Sequence, residues 1–175
     1  DTTPHEFPIN DKQLFSYHLV FMHGRNSFRL SPAEREQLRT YIERGGMLFA
    51  DAVCGSEEFA RAFRAEMAKV FPDAPLERIP IDNPLFTPEY SGFDIQQVSR
   101  RDPQRGDPTG PLTAAYRPDE PDLEGIKIGD RYGVIFSPYD LSCALENHAS
   151  LECAGYTSED AAKIGINVIL YSLNN

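Results

Sequence analysis

Residues 45–59 read GGMLFADAVCGSEEF. Met47 to Ala50 form an unbroken apolar run after a Gly pair, which predicts a strand buried on both faces. Ser56 then caps a helix whose Phe59, Phe63, Met67 and Val70 fall on one face, and Pro72 stops it. Cys54 lies at the turn between them. A cysteine placed there is either a nucleophile held on an elbow or a small, half-buried thiol filling a corner.

The same unit occurs just before. Leu19 to Met22 form a short apolar run ended by Gly24. A helix follows, with Ser31 as N-cap, Pro32 in its first position, Glu34 completing a capping box and Gly45 ending it. LERIPI, residues 76–81, predicts a third, edge strand because of Pro80. GIKIGDRYGVIFSPYD, residues 125–140, predicts two strands joined at Gly129-Asp130. A loop with Cys143, His148 and Cys153 leads to a last helix, capped by Thr157, whose Ile164, Val168 and Tyr171 face inwards. Strands alternating with helices, and apolar runs rather than alternating ones, predict an α/β fold: a parallel sheet with helices on both faces. The 175 residues are read as a single domain. Residues 83–122 read as a long insertion, because DPQRGDPTGP and RPDEPD are too rich in Pro, Gly and charge to build a core.

A net charge of −10 without an arginine block argues against nucleic acid and anionic membranes as partners. No apolar run is long enough to span a bilayer. Three cysteines are too few for a disulfide scaffold. Either a Cys143–Cys153 bridge leaves Cys54 free, or all three are free thiols. The chain starts DTTPHEF, without an initiator Met, and this is read as a processed or trimmed form that favours export to the periplasm.

In parallel sheets chemistry collects at the carboxyl ends of the strands. Those ends carry His23 and Arg25, Asp51 and Cys54, Asp82, and Asp140. His23, Asp51 and Asp82, with Cys54 and Asp140 beside them, could ligate a divalent transition metal. The bland alternative is that each strand-end aspartate caps the loop that follows it and His23 bonds a backbone carbonyl. Cys143 and Cys153 flank His148 and could hold a metal with it. Arg25, together with the start of the Ser56 helix, suits a small anionic ligand, and Asp51 and Asp140 would line the same pocket.

FMHGRNSFRLSPAEREQLRTYIERGGMLFADAVCGSEEFARAFRAEM, IDNPLF and YGVIFSPYDLSCALE resemble the domain-of-unknown-function 4159 family, a bacterial family, over nearly the whole chain. The pattern also resembles the class I glutamine amidotransferase-like superfamily, which implies a flavodoxin-like sheet. Members of the family carry one more strand–helix unit ahead of the region matching residues 14–23, so the resemblance implies an open sheet edge here, a place for self-association or for a partner. The family has His where this chain has Asn83.

Amidotransferases hold their nucleophile in a Gly-x-Cys-x-Gly elbow, and the matching run here is Ala52-Val53-Cys54-Gly55-Ser56. Their late strand ends Gly-Val-x-Phe-His-Pro-Glu. Here it reads Gly133-Val134-Ile135-Phe136-Ser137-Pro138-Tyr139, so Ser137 replaces the base and Tyr139 its orienting acid. A substitute base would have to be His23 or His148. The expectation is therefore a non-glutaminase ligand-binding or interaction module. The alternative is a hydrolase working through Cys54 or a bound metal.

Overall fold

A computed structural model describes residues 5–105, 107, 109–147 and 150–175. The elements, in chain order, are β1 (Leu19–Gly24), α1 (Pro32–Glu43), β2 (Met47–Ala52), α2 (Glu57–Val70), β3 (Glu77–Arg78), β4 (Val98–Arg105), β5 (Leu112–Asp119), β6 (Glu124–Ile128), β7 (Arg131–Ser137), α3 (Ser142–Leu145), β8 (Gly155–Tyr156) and α4 (Ser158–Asn174).

The helices begin where their caps place them. The Ser31 hydroxyl accepts from the Glu34 N–H, and the Glu34 carboxylate accepts from the Ser31 N–H at 2.7 Å, so each satisfies a backbone donor the helix leaves open. Ser56 accepts from the Phe59 N–H and Thr157 from the Asp160 N–H in the same way.

The protein is α/β, and its main sheet is mixed. Its order is β1-β2-β7-β6-β3. β1, β2 and β7 run parallel, as a strand–helix–strand chain requires. β6 runs antiparallel to β7, and β3 antiparallel to β6. This corrects the expectation of a parallel sheet. Gly129, at φ 66°, lets the chain reverse tightly, so β6 and β7 form a hairpin with no crossover helix. β3 is only two exposed residues long.

One face of the sheet packs Leu48, Ala50, Val134 and Phe136 against α1 and α2. The other packs Phe49 and Ile135 against Ala161, Ile164, Val168 and Tyr171 of α4. β1 is an edge strand, and Phe21 on it stays 44% exposed.

Residues 83–122 contain more structure than their composition predicts. Leu85, Phe86, Ile95 and Val98 are buried in the second core. β4 and β5 pair over eight residues, and β4 also pairs with β8, making a second, antiparallel sheet. The prolines fit because β8 covers only Arg100 and Arg101: Pro103 lies where β4 has a single neighbour, and Pro118 lies on edge strand β5. Among the described residues, no helix is long and apolar enough to cross a membrane.

Candidate functional site: a cysteine and aspartate cluster

The elbow after β2 is sharp. Cys54 takes a left-handed conformation, φ 55° and ψ 22°, and Gly55 follows at φ 67°. Such a backbone is rare for a residue with a Cβ. At Gly55 a Cβ would lie 2.8 Å from the Ala154 carbonyl oxygen, so only glycine lets the two segments approach this closely. The elbow predicted from the sequence is therefore present.

Its sulfur is not free. Cys54 forms a disulfide with Cys153, which corrects both sequence alternatives, the Cys143–Cys153 bridge and three free thiols. Cys143 is the free thiol and is half-buried. One ligating atom from each of Cys54, Asp140, Cys143 and Cys153 lies within 4.8 Å of the others. All three cysteines of the chain thus converge from three segments: the elbow, the start of α3 and the turn before β8.

Asp140, fully buried, is the centre of this arrangement. Its Oδ2 accepts from the Cys54 N–H and its Oδ1 from the Ala144 N–H at 3.2 Å. Its own N–H donates to the Ala154 carbonyl, its carbonyl accepts from the Tyr156 N–H, and the Ala154 N–H donates to the Cys54 carbonyl. Gly155 closes against it, since a Cβ there would meet the Asp140 Cβ at 2.6 Å. These bonds fix the elbow, the β7 exit and the β8 entry to one another.

Asp51 supports the same turn from below. Its Oδ2 accepts from the Leu141 N–H (2.8 Å), the Ser142 N–H (3.0 Å) and the Ser142 hydroxyl (3.0 Å). It therefore caps the loop that leaves β7, not the loop that follows its own strand. Its Oδ1 is buried without a partner among the described residues. Burial raises its carboxyl above the usual range, against the bonds from Ser142 and Leu141. The Cys143 thiol is pushed up to about 11, first by burial, then by its hydrogen bond to Asp140 and by the Asp140, Asp51 and Glu146 carboxylates. In this state it is a protonated thiol at neutral pH.

Two arginines of β4 complete the surroundings. Arg101 is 6% exposed; its Nε donates to the Cys153 carbonyl at 2.8 Å, and its Nη2 is buried without a partner among the described residues. Arg100, equally buried, pairs with Asp119 and stacks 4.0 Å over the Tyr139 ring. Sequence reasoning missed both, because they lie in the stretch read as an insertion and nothing local links them to Cys153.

The remaining predicted residues do not join the cluster. His23 is exposed on β1, in register with Asp51, with its ring 5.6 Å from Phe21. Arg25 is exposed, and its carbonyl accepts from the Ser56 hydroxyl. Asp82 is exposed beyond β3, so the His23, Asp51 and Asp82 metal set is not assembled. Asn83 caps the turn at Pro84–Phe86 by accepting from the Leu85 N–H. Ser137, which the resemblance to amidotransferases sets in the place of their base, is fully buried and donates to the Tyr139 carbonyl at 2.6 Å. His148 lies outside the described residues. A cavity of about 430 Å³ opens at the other end of the sheet, between Phe15, His18, Tyr41 and Arg44, before β1 and β2 begin.

The family is decided over nearly the whole length. The chain belongs to the family described as domain of unknown function (DUF4159), whose model matches residues 1–173. No curated protein matches it. For this DUF4159 chain, the site has to be read from its own atoms.

Proposed function

We propose that this DUF4159 chain is a non-glutaminase binding module. Its ligand, in the reduced chain, is a thiophilic divalent transition metal held by Cys54, Cys143, Cys153 and Asp140. One observation carries this: four ligating atoms from four positions lie within 4.8 Å of one another. Three thiolates and a carboxylate suit Zn²⁺ and related ions. The Asp140 oxygens each accept one bond from the backbone, which leaves lone pairs for an ion. Such a set around a divalent ion is anionic, and Arg101, beside Cys153, supplies a buried positive charge.

The hydrolase alternative has less support. The Cys54 sulfur is in a disulfide, its N–H is used by Asp140 rather than free for an oxyanion, and Ser137 occupies the position of the base. The parallel β1-β2-β7 core, with helices on both faces, supports an amidotransferase-like ancestry with that chemistry lost. An interaction role has its own support, from the open edge of β1 with exposed Phe21 and from Ile166, Ile169 and Leu173, exposed on α4. A concentration-independent monomer by light scattering would count against self-association there.

Elemental analysis of protein purified under reductant tests the metal reading. The expected result is about one transition-metal ion per chain, lost in Cys143→Ser. A metal-free reduced wild type would overturn it.

A further inference from the structure

We infer that the cluster is also a thiol–disulfide exchange centre, in which the Cys54–Cys153 bond and a bound metal ion exclude each other. The exchange itself stands on the disulfide and on Cys143; its coupling to metal rests on the metal reading above.

The exclusion follows from counting ligands. Forming the Cys54–Cys153 bond takes two of the four ligands and leaves Cys143 and Asp140, too few to hold the ion. The cluster therefore has a disulfide state with one spare thiol and a dithiol state with a full ligand set. Burial gives the exchange a direction. Cys54 is partly exposed on its elbow, whereas Cys153 is 1% exposed beneath it. An outside reagent meets Cys54 first, and Cys153 resolves.

The substrate class is a low-molecular-weight disulfide in one direction and a dithiol in the other. On oxidation, the Cys54 thiolate attacks a disulfide RSSR, forms a Cys54–S–S–R mixed disulfide and releases one RS⁻. The Cys153 thiolate then attacks the Cys54 sulfur and releases the second RS⁻. Two electrons pass from the cysteine pair to RSSR, and the ion is set free. A dithiol reverses both steps.

Arg101 favours having two such states. In the disulfide state its buried Nη2 has no partner among the described residues. A buried guanidinium nitrogen without a partner is unfavourable, and the metal-thiolate state would add negative charge beside it. This restrains the disulfide from becoming a permanent brace.

The experiment is a redox titration of zinc-loaded full chain. Reduced protein with one equivalent of Zn²⁺ is transferred to buffers of increasing oxidised glutathione. Released zinc is read with a chromogenic chelator, and the cysteine pairing is mapped by non-reducing peptide mass spectrometry. Expected are one Cys54–Cys153 bond per zinc released, a loss of zinc affinity on oxidation greater than the roughly 100-fold that losing one supporting partner of a metal ligand can cost, and recovery of both with dithiothreitol. Cys143→Ser should bind zinc poorly yet form the same bond. Zinc retained by the oxidised chain, or a bond that forms through Cys143 instead, would overturn the inference. A reduced chain that takes up no zinc would overturn the metal reading and the coupling. The pairing map then judges the exchange alone, and failure to form Cys54–Cys153 reversibly sinks it.

Discussion

Cys153→Ser should cost this protein several kilocalories per mole through the unfolded state. The Cys54–Cys153 bond joins residues 99 apart in sequence. Closing a loop of about 100 residues removes chain entropy worth about 4.7 kcal/mol at 25 °C. Unfolding entropy near the midpoint is about 2.1 cal/mol/K per residue, or about 0.37 kcal/mol/K for 175 residues. The loss therefore lowers the Tm by about 13 °C. The assay is thermal unfolding followed by circular dichroism, without reductant and with metal removed by chelator. Wild type, Cys153→Ser, Cys54→Ser and Cys143→Ser are compared. Cys54→Ser should fall with Cys153→Ser, whereas Cys143→Ser should stay near wild type. Adding dithiothreitol should lower the wild type to the level of the first two. A wild type unmoved by reductant, or a Cys143→Ser that falls as far as the others, would refute the pairing.

Further consequences follow from the residues around the site. Asp51→Ala strands three donors on Leu141 and Ser142 and should cost about 3 kcal/mol or more, read by urea unfolding. Because the folded-state pKa of Asp51 is raised, its contribution is full below the unfolded value of about 3.9 and is lost as pH rises through the folded value. Asp51→Asn should remove that decline from the urea midpoint measured against pH. Glu66 behaves oppositely. Burial alone would raise its pKa, but Lys69, Arg35 and the Leu30 N–H outweigh burial and hold it at about 2. Its contribution is present above the unfolded value of about 4.3 and is lost as pH falls through about 2. Glu66→Gln should therefore cost about 1–2 kcal/mol at pH 7, a value discounted for the exposure of Lys69, and little near pH 2. Gly55→Ala puts a Cβ against Ala154 at a positive φ, so it should cost about 2 kcal/mol and raise the free-thiol count measured on folded protein.

Local signals account for what was legible in the sequence. Ser31 with Glu34, Ser56 and Thr157 each start a helix because the donor they satisfy is three residues away. The apolar runs of β1, β2 and β7 place a parallel core, and with it the elbow at Cys54. The turn at Gly129-Asp130 is legible too, but apolar runs alone do not give strand direction, and so tight a turn makes β6 antiparallel to β7. Composition misled at residues 83–122. Pro103 and Pro118 look like strand breakers, yet each sits where β4 or β5 lacks a second neighbour. The cluster itself was legible only in part. Asp51, Cys54 and Asp140 were placed at one end of the sheet by strand order. The partner of Cys54 was not, because Cys153 lies beyond seven further strands and helices, and nearness in sequence favoured Cys143. Arg101 reaches Cys153 only through the pairing of β4 with β8, a contact no local pattern announces.

Whether Cys54, Asp140, Cys143 and Cys153 form one metal-binding set is read out by cobalt spectroscopy. Reduced, metal-free protein is titrated with Co²⁺ under anaerobic conditions. Four convergent ligands should give saturation at one equivalent, with strong sulfur-to-cobalt charge-transfer absorption and the intense visible bands of a tetrahedral ion, both lost in Cys143→Ser. Weak octahedral absorption without a sulfur band, the same in wild type and Cys143→Ser, would contradict it.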